Sequence, residues 1–307
     1  MDDVPQTGST PAPRPDARSA LVLGGGGPVG GAWLTGVLAG LAGAGVDLDR
    51  FDLVTGASAG AVFGARLASG ESARALYDRQ LAGADRIDLD VTLGQTLRFL
   101  WAAARSRRPD RAARNLGRAA LAARTCPESE VLDAVCTLLG GVRDWPGRPL
   151  RIAAVEASTG QEGGFDRDAG VPLVEAVAAS CAVPLVWPPV TAGGRRWIDG
   201  GSRSSTPFRL AHDHGRILAV TPLPSAIGPH PHAARQAADL IARGTAVRLL
   251  TPDDGARHAM GRDMTANDRR ADSAAAGHAQ GTAAAASVLA LLDGAATPDA
   301  PRRRAHG

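Results

Sequence analysis

Ser58 lies at the centre of the pentapeptide GASAG, residues 56–60, which matches the pattern Gly-x-Ser-x-Gly. In this pattern a strained turn between a strand and a helix exposes the serine hydroxyl, and the flanking glycines, here Gly56 and Gly60, let the chain bend. The apolar stretch FDLV precedes the pattern and AVFGARLA follows it, which predicts a strand and a helix on either side. The sequence therefore indicates Ser58 as a nucleophile at a helix N-terminus, where negative charge is favoured.

A second cluster of small residues lies earlier in the chain, where four consecutive glycines follow an apolar run that ends at Leu23. A nucleophilic serine needs hydrogen-bond donors that stabilise the negative charge of the tetrahedral intermediate. A turn of glycines can present successive backbone N–H groups with no Cβ atom to block a ligand. The predicted donors are the amides of Gly25, Gly26 and Gly27, and Pro28 is predicted to lie in the first turn of the next helix.

The same glycines also fit the dinucleotide-binding pattern Gly25-x-Gly27-x-x-Gly30, so a nucleotide-binding oxidoreductase is an alternative function. That fold places an acidic residue near the end of the second strand, where it holds the ribose. Here Asp52 stands at the start of the predicted second strand. All 34 basic residues are arginine, and a Walker A loop requires a lysine, so that phosphate-binding motif is excluded.

A serine nucleophile also requires a base, and two kinds of candidate are present. Asp199 follows an apolar pair and precedes Gly200 and Gly201, so its carboxylate is expected at a strand end before a flexible turn. The seven histidines stand mostly in polar or proline-rich surroundings, but His212 or His214 could complete a triad in the order Ser, Asp, His. Asp199 is the stronger candidate, and the triad remains the alternative.

The remaining chain alternates between short apolar runs and helical patterns, which predicts a single α/β domain. Strands are expected at 20–23, 51–55, 150–158, 195–199 and 215–220, and helices at 29–44, 61–68, 173–184 and 271–292. The predicted fold class is a three-layer α/β/α sandwich with a central, mostly parallel sheet over residues 19–295. A polar helical insert is expected at about 74–145, and residues 1–18 and 296–307 are predicted to be disordered tails.

Composition argues against several classes of protein. The net charge is only +3, and no segment interleaves arginine with aromatic residues, so nucleic acid is not a predicted partner. Cys126, Cys136 and Cys181 are odd in number and lack the spacing of a zinc site, so neither a disulfide framework nor a metal site is predicted. The chain has no run of 18 apolar residues and no signal sequence, which predicts a cytoplasmic protein.

Together, the motifs GGGGPVG, GASAG and DGG resemble those of the patatin-like phospholipase family, in the same order. The stretch AASCAVPLVWPPV at 178–190 is similar to the segment before the family's aspartate, and the resemblance covers about residues 21–220. It implies a serine-dependent lipid acyl hydrolase of phospholipase A, lysophospholipase or esterase type. In this scheme Ser58 is the nucleophile, Asp199 is the base, residues 25–27 form the oxyanion hole, and neither metal nor cofactor is needed. A catalytically silent patatin-like binding protein is a further alternative.

Two features bear on the substrate and on membrane contact. Many family members carry Arg or Lys where this chain has Val29, which argues against a strong preference for an anionic phospholipid head group. The insert also contains an apolar stripe surrounded by arginines, as in a helix at a membrane interface. The stripe is formed by Leu97, Leu100, Trp101 and Ala104. The sequence therefore predicts either peripheral membrane contact through residues 97–124 or an ordinary helical pair that packs on the core.

Overall fold

The computed structural model of the chain describes residues 17–87, 106–225 and 228–294. Within these ranges the strands are β1 Ser19–Leu23, β2 Leu53–Gly56, β3 Leu150–Glu156, β4 Glu162–Phe165, β5 Val190–Ala192, β6 Arg195–Asp199, β7 Arg216–Val220 and β8 Ala246–Leu250. The α-helices are α1 Gly27–Gly43, α2 Ala59–Ala68, α3 Ala73–Leu81, α4 Pro109–Leu121, α5 Glu128–Leu138, α6 Leu173–Cys181, α7 Ala233–Ile241, α8 Asp254–Met260 and α9 Arg270–Leu292.

The strands form one mixed sheet in the order β5-β6-β3-β2-β1-β7-β8, and β4 pairs with β3. From β3 to β8 along this order, neighbouring strands are parallel, whereas β4 and β6 both run antiparallel to β3. At the carboxyl edge of the parallel strands, Leu23 at the end of β1 pairs with Gly56 at the end of β2. The two glycine-containing motifs therefore leave the sheet side by side.

Helices cover both faces of the sheet, as a largely apolar parallel sheet requires. On one face, Leu21 and Leu23 belong to a large buried cluster with side chains of α1, α2, α6 and α9. On the other face, Ala20 and Val22 pack with α7 and with a short helical turn at Phe208–Ala211. This arrangement confirms the predicted three-layer α/β/α sandwich.

Helices α1 and α9 approach so closely that no side chain would fit between them at four positions. A Cβ atom at Gly36 or Gly40 would lie 2.1 Å from a carbonyl oxygen of α9. A Cβ atom at Gly277 or Gly281 would lie 2.2 Å from a carbonyl oxygen of α1. The two glycines of each helix are four residues apart and so share one face. Backbone therefore packs directly on backbone, and α9 holds α1 against the sheet.

The predicted elements are observed with shifted ends, and several elements were missed. Helix α6 ends at Cys181 instead of residue 184, because the residue before Pro184 is disfavoured in a helix and the chain already turns at Ala182. Strand β8 was not predicted, since Arg248 interrupts its apolar run and most of its residues are only partly buried. Helices α7 and α8 and strands β4 and β5 were not predicted either.

The predicted insert is helical in its described part and packs on the rest of the domain. Helix α3 contacts α1 and α9, and α5 contacts α6. Helix α4 lies against the loop after β3, where a Cβ atom at Gly117 would be 2.0 Å from the carbonyl oxygen of Ala157. The apolar stripe at 97–104 lies outside the described residues, so membrane contact through residues 97–124 stays a prediction.

The predicted tails, residues 1–18 and 296–307, lie outside the described residues except for Ala17 and Arg18. In the three described ranges, no helix combines the length and the apolar composition that crossing a membrane requires.

Candidate active site

Ser58 occupies the sharp turn between β2 and α2. Its backbone angles, φ 53° and ψ −122°, are unfavourable for a residue with a Cβ atom, and such strain is typical of a nucleophile turn. The flanking glycines allow the turn to pack tightly. A Cβ atom at Gly56 would lie 2.3 Å from the carbonyl oxygen of Gly60, and one at Gly60 would lie 2.2 Å from that of Leu23. The motif therefore has the strand, turn and helix that its pattern requires.

Asp199 is the last residue of β6 and lies beside the same turn. Along β3, Ile152 pairs with Gly56 and Ala154 pairs with Asp199. Ser58 follows Gly56 by two residues, and Ala154 follows Ile152 by two residues. Ser58 and Asp199 therefore lie level with each other, on opposite sides of β3. Their side chains line the same cavity, and the Ser58 hydroxyl is close enough to the Asp199 carboxylate to lower the pKa of that carboxylate. An ionised carboxylate can only accept a hydrogen bond, so the hydroxyl of Ser58 is the group that can donate one.

The Asp199 carboxylate is buried, with 6% of the residue exposed. Burial raises its pKa from 3.8 to about 6, against the opposing effects of the nearby Ser58 hydroxyl and of a hydrogen bond from the Gly201 N–H at 2.6 Å. The carboxylate is therefore ionised at neutral pH, yet its pKa is close enough to 7 for it to accept and return a proton efficiently.

The glycine loop reaches the turn from the end of β1, and its amides differ in availability. Gly25 is closest to Ser58, since a Cβ atom added to it would lie 3.2 Å from the Ser58 Cβ. However, the Gly25 N–H donates to the carbonyl oxygen of Ser205 at 2.9 Å, so it could join an oxyanion hole only if this bond were broken. The N–H groups of Gly26 and Gly27 have no acceptor among the described residues. The predicted set of three donors therefore contains two that are free.

The other motif glycines are required by close packing. A Cβ atom at Gly30 would lie 2.8 Å from the Cβ of Pro222, which follows β7. A Cβ atom at Gly200 would lie 2.7 Å from the carbonyl oxygen of Ala153, and one at Gly201 would lie 2.9 Å from the carboxylate beside it. These three glycines let the loops that carry the site approach one another.

Two residues that the sequence did not indicate as part of the site lie next to Ser58. Ser180 is fully buried in α6, and its hydroxyl accepts a hydrogen bond from the Ser58 N–H at 2.9 Å. The Cys181 thiol lies in the same cavity close to the Ser58 side chain, and burial raises the pKa of this thiol well above its ordinary value. The thiol is therefore protonated and does not compete as a nucleophile. The only sequence signal for either residue was the similarity of the stretch at 178–190.

Neither candidate histidine lies at the turn. His214 precedes β7 at the amino edge of the parallel strands, whereas Ser58 follows their carboxyl edge, so a strand of five residues, roughly 16 Å long, separates them. The Nδ1 of His214 bonds to Asp213 at 2.9 Å, and the Nδ1 of His212 lies 2.7 Å from the carbonyl oxygen of Arg209. The structure therefore does not assemble the alternative Ser, Asp, His triad.

Asp52 is also remote from the glycine loop. Its carboxylate accepts hydrogen bonds from the N–H of Ser19 at 2.7 Å and from the Ser19 hydroxyl at 3.1 Å, at the amino edge of the sheet. A ribose bound at the glycine loop would lie at the opposite edge. The end of β2 carries the Ser58 turn in place of an acidic residue, which argues against the nucleotide-binding alternative.

Val29 does not face the candidate site. Its side chain is fully buried in the large cluster that includes α9, and its carbonyl oxygen accepts a hydrogen bond from the Ser273 hydroxyl at 2.8 Å. The described residues that line the cavities at Ser58 do not include Val29. The expected effect of Val29 on head-group preference is therefore not supported by its position.

Two cavities meet at Ser58. The first has a mostly apolar lining, to which Val62, Phe63, Leu138, Val186 and Trp187 contribute. The second is lined by Gly26, Gly27, Asp199 and Ser202 among others. The Ser58 side chain thus lies between an apolar cavity and one that holds the carboxylate and the free amides.

The three-layer sandwich, together with a serine at a strained turn between a strand and a helix, defines the class of α/β protein to which this chain belongs. The chain belongs to the patatin-like phospholipase family, since the model of that family matches residues 21–212. Membership of the family supports lipid hydrolase activity.

Several solved structures are similar to this chain, among them VipD and ExoU. The crystal structure of VipD from Legionella pneumophila has a TM-score of 0.47 and 13% sequence identity, over 92% of this chain and 67% of VipD. The type III effector protein ExoU has a TM-score of 0.35 and 16% identity, over 88% of this chain and 53% of ExoU, so this chain spans about half of ExoU. No curated protein matches the chain.

Proposed function

We propose that this protein hydrolyses acyl esters of lipids through a dyad of Ser58 and Asp199. The observation that best supports this function is the position of the Ser58 hydroxyl beside the buried Asp199 carboxylate, in the same cavity and close enough to lower the pKa of that carboxylate. The unoccupied amides of Gly26 and Gly27 next to the same turn support it further. Phospholipase A, lysophospholipase and esterase reactions all use this chemistry.

In the proposed first half-reaction, Asp199 accepts the proton of Ser58 while Oγ attacks the ester carbonyl carbon. The carbonyl oxygen becomes negatively charged and receives hydrogen bonds from the N–H groups of Gly26 and Gly27. The intermediate collapses, the alcohol leaves with the proton from Asp199, and an acyl ester remains on Ser58. In the second half-reaction, Asp199 takes a proton from water, the resulting hydroxide attacks the acyl ester, and the proton returns to Ser58 as the carboxylic acid leaves.

The cavities at Ser58 support a lipid substrate. The apolar cavity, with Phe63 and Trp187 in its wall, suits the acyl chain, and the second cavity suits the alcohol part of the ester. Exposed arginines on α4, among them Arg114 and Arg118, support peripheral contact with an anionic membrane surface that would present the substrate.

We expect kcat/KM for ester hydrolysis to fall as the pH decreases through about 6. The reason is that Asp199 must be ionised to accept the proton, and burial raises its pKa to about 6. The pH dependence of kcat/KM reports the groups of the free enzyme. The measurement is kcat/KM between about pH 5 and 8, with released fatty acid as the readout. A rate that is constant over this range would contradict the role of Asp199 as base.

We expect Ser180→Ala to lower kcat by roughly 10-fold while KM changes little, because the variant removes the acceptor that holds the Ser58 N–H in its strained conformation. Ser287→Ala is the matched control, since the Ser287 hydroxyl only bonds to a carbonyl of its own helix. Steady-state kinetics on both variants provide the measurement. An unchanged kcat in Ser180→Ala would show that the turn keeps its geometry without this hydrogen bond.

A fluorophosphonate probe tests the proposed function directly. Such a probe phosphonylates a serine only where a base and an oxyanion hole activate it. We expect stoichiometric labelling of the folded protein, with the modification located by mass spectrometry on the peptide that contains Ser58, and no labelling after heat denaturation. Absence of labelling in the folded protein would instead support a catalytically silent binding protein.

A further inference from the structure

The apolar cavity at Ser58 has a polar section in its wall. Gln80 from α3, Asp85 from the loop after it and Arg270 from the start of α9 line the same cavity as Ser58. Gln80 and Arg270 are 1% and 3% exposed, so water in bulk does not reach them. A cavity that served only to hold a hydrocarbon chain would not need buried polar groups, which are costly to remove from water.

The orientation of the Gln80 amide is fixed by Arg270. The guanidinium donates to Gln80 Oε1 from Nε at 3.1 Å and from Nη2 at 2.6 Å, and it also donates to the carbonyl oxygen of Ala84. Rotation of the amide by 180° would turn its NH₂ group toward the guanidinium, where donor would meet donor. The Oε1 atom therefore faces Arg270, and the Nε2 group of the amide remains available to donate to another partner.

Gln80 Nε2 has no hydrogen-bond partner in the part of the chain that the structure describes. Buried donors in native proteins almost always have a partner, and an unpaired one calls for an explanation. A ligand that enters the cavity and carries an acceptor atom would provide that partner.

The charges around Gln80 also favour an electron-rich ligand. The carboxylate of Asp85 is already occupied, since Arg66 donates to it at 2.8 Å and Arg79 at 2.5 Å. Arg270 forms no salt bridge within the described ranges, its hydrogen-bond partners Gln80 and Ala84 are neutral, and Asp85 attracts its charge only from beyond salt-bridge distance. The cavity wall thus contains a buried positive charge without a direct counter-ion next to an unpaired amide donor.

We propose that the cavity binds an acyl chain that carries an oxygen acceptor, such as a hydroxyl group, at its far end, and that Gln80 Nε2 donates to this oxygen. This inference rests on the proposed function in that it assigns the apolar cavity to the acyl chain. It adds that the preferred substrates are esters of oxygenated fatty acids, and that Gln80 is the residue that selects them.

Binding to the Ser58→Ala variant tests this proposal without turnover. Ethyl esters of fatty acids of six to twelve carbons are titrated by calorimetry, each unsubstituted ester beside its ω-hydroxy counterpart. We expect the hydroxylated ester to bind roughly 10-fold tighter at the length that reaches Gln80, as one hydrogen bond allows. Equal or weaker binding of the hydroxylated esters at every length would overturn the proposal.

Gln80→Glu in the Ser58→Ala background identifies the donor. This variant is titrated with the ω-methoxy counterpart of the same ester, whose ether oxygen can only accept a hydrogen bond. Glutamate keeps two oxygen acceptors for Arg270 and removes the N–H donor, so the preference for the ω-methoxy ester over the unsubstituted ester, expected with Gln80, should disappear. Gln161→Glu makes the same chemical change at an exposed position and should retain the preference. Gln80→Met serves as a second variant if near-UV circular dichroism shows that Gln80→Glu is misfolded. A preference that persists in the folded Gln80 variant would overturn the assignment, whereas labelling of Ser58 by the fluorophosphonate probe tests the hydrolase function separately.

Discussion

Replacement of Ser58 by alanine is expected to lower kcat for ester hydrolysis by roughly 10⁴-fold or more, because no acyl-enzyme can form without the hydroxyl. Alanine keeps a Cβ atom and so suffers the same backbone strain at φ 53° as serine, and the fold should persist. The loss of the hydroxyl also leaves the Ser180 contact intact, since that bond uses the backbone N–H. The change should therefore remove the nucleophile and leave the backbone geometry of the turn as it is.

The measurement for Ser58→Ala is steady-state hydrolysis of a p-nitrophenyl acyl ester together with thermal unfolding. Ser69→Ala, at the exposed end of α2, is the matched control and should hydrolyse the ester at the wild-type rate. Retention of more than about a hundredth of the activity in Ser58→Ala would mean that another residue is the nucleophile.

Replacement of Asp199 by asparagine should lower kcat by roughly 10³- to 10⁴-fold, since the amide cannot accept the serine proton. The same change should stabilise the fold at neutral pH. Burial raises the pKa of Asp199 from 3.8 to about 6, so the folded state binds more protons than the unfolded state between these values. The contribution of the carboxyl group to stability is therefore full below about pH 4 and is lost as the pH rises through 6.

An uncharged asparagine avoids the loss of stability that the buried, ionised carboxylate causes at high pH. A difference of about two pKa units between the folded and unfolded states corresponds to at most about 3 kcal/mol of stability. We expect Asp199→Asn to raise the free energy of unfolding by roughly 1–3 kcal/mol at pH 8 and by much less near pH 4. Urea unfolding at the two pH values is the measurement.

His214→Asn is the comparison for activity and should remain active. If His214→Asn were inactive and Asp199→Asn active, a triad would replace the dyad.

The local part of the site could be predicted from the sequence. The turn at Ser58 follows from its neighbours, because an apolar run, two glycines and a second apolar run determine a strand, a bend and a helix over a few residues. The glycine loop before α1 was predictable for the same reason. Close packing explains why the motif needs glycine at position 60, where a Cβ atom would collide with the backbone of β1.

The long-range part of the site could not be read from the sequence. Asp199 was expected at a strand end, but β6 is antiparallel to β3, and only this register brings it level with Ser58. The bond from the Gly25 N–H to Ser205 joins residues 180 positions apart, and no local pattern signals it. The pair of Gln80 and Arg270 likewise depends on how α3 and α9 meet, which single-sequence periodicity does not encode.

The glycine contacts between α1 and α9 imply that the proposed activity requires residues beyond the family match. The family match ends at residue 212, whereas α9 begins at Arg270, yet the first turn of α1 contains the free amide of Gly27. A chain that stopped at residue 212 would lose β7 and β8 from the sheet, would expose the glycine face of α1 to water and would lose the Ser273 hydroxyl that holds the Val29 carbonyl. Inactivity of such a truncated chain would therefore reflect the loss of support for β1 and α1 and would carry no information about Ser58.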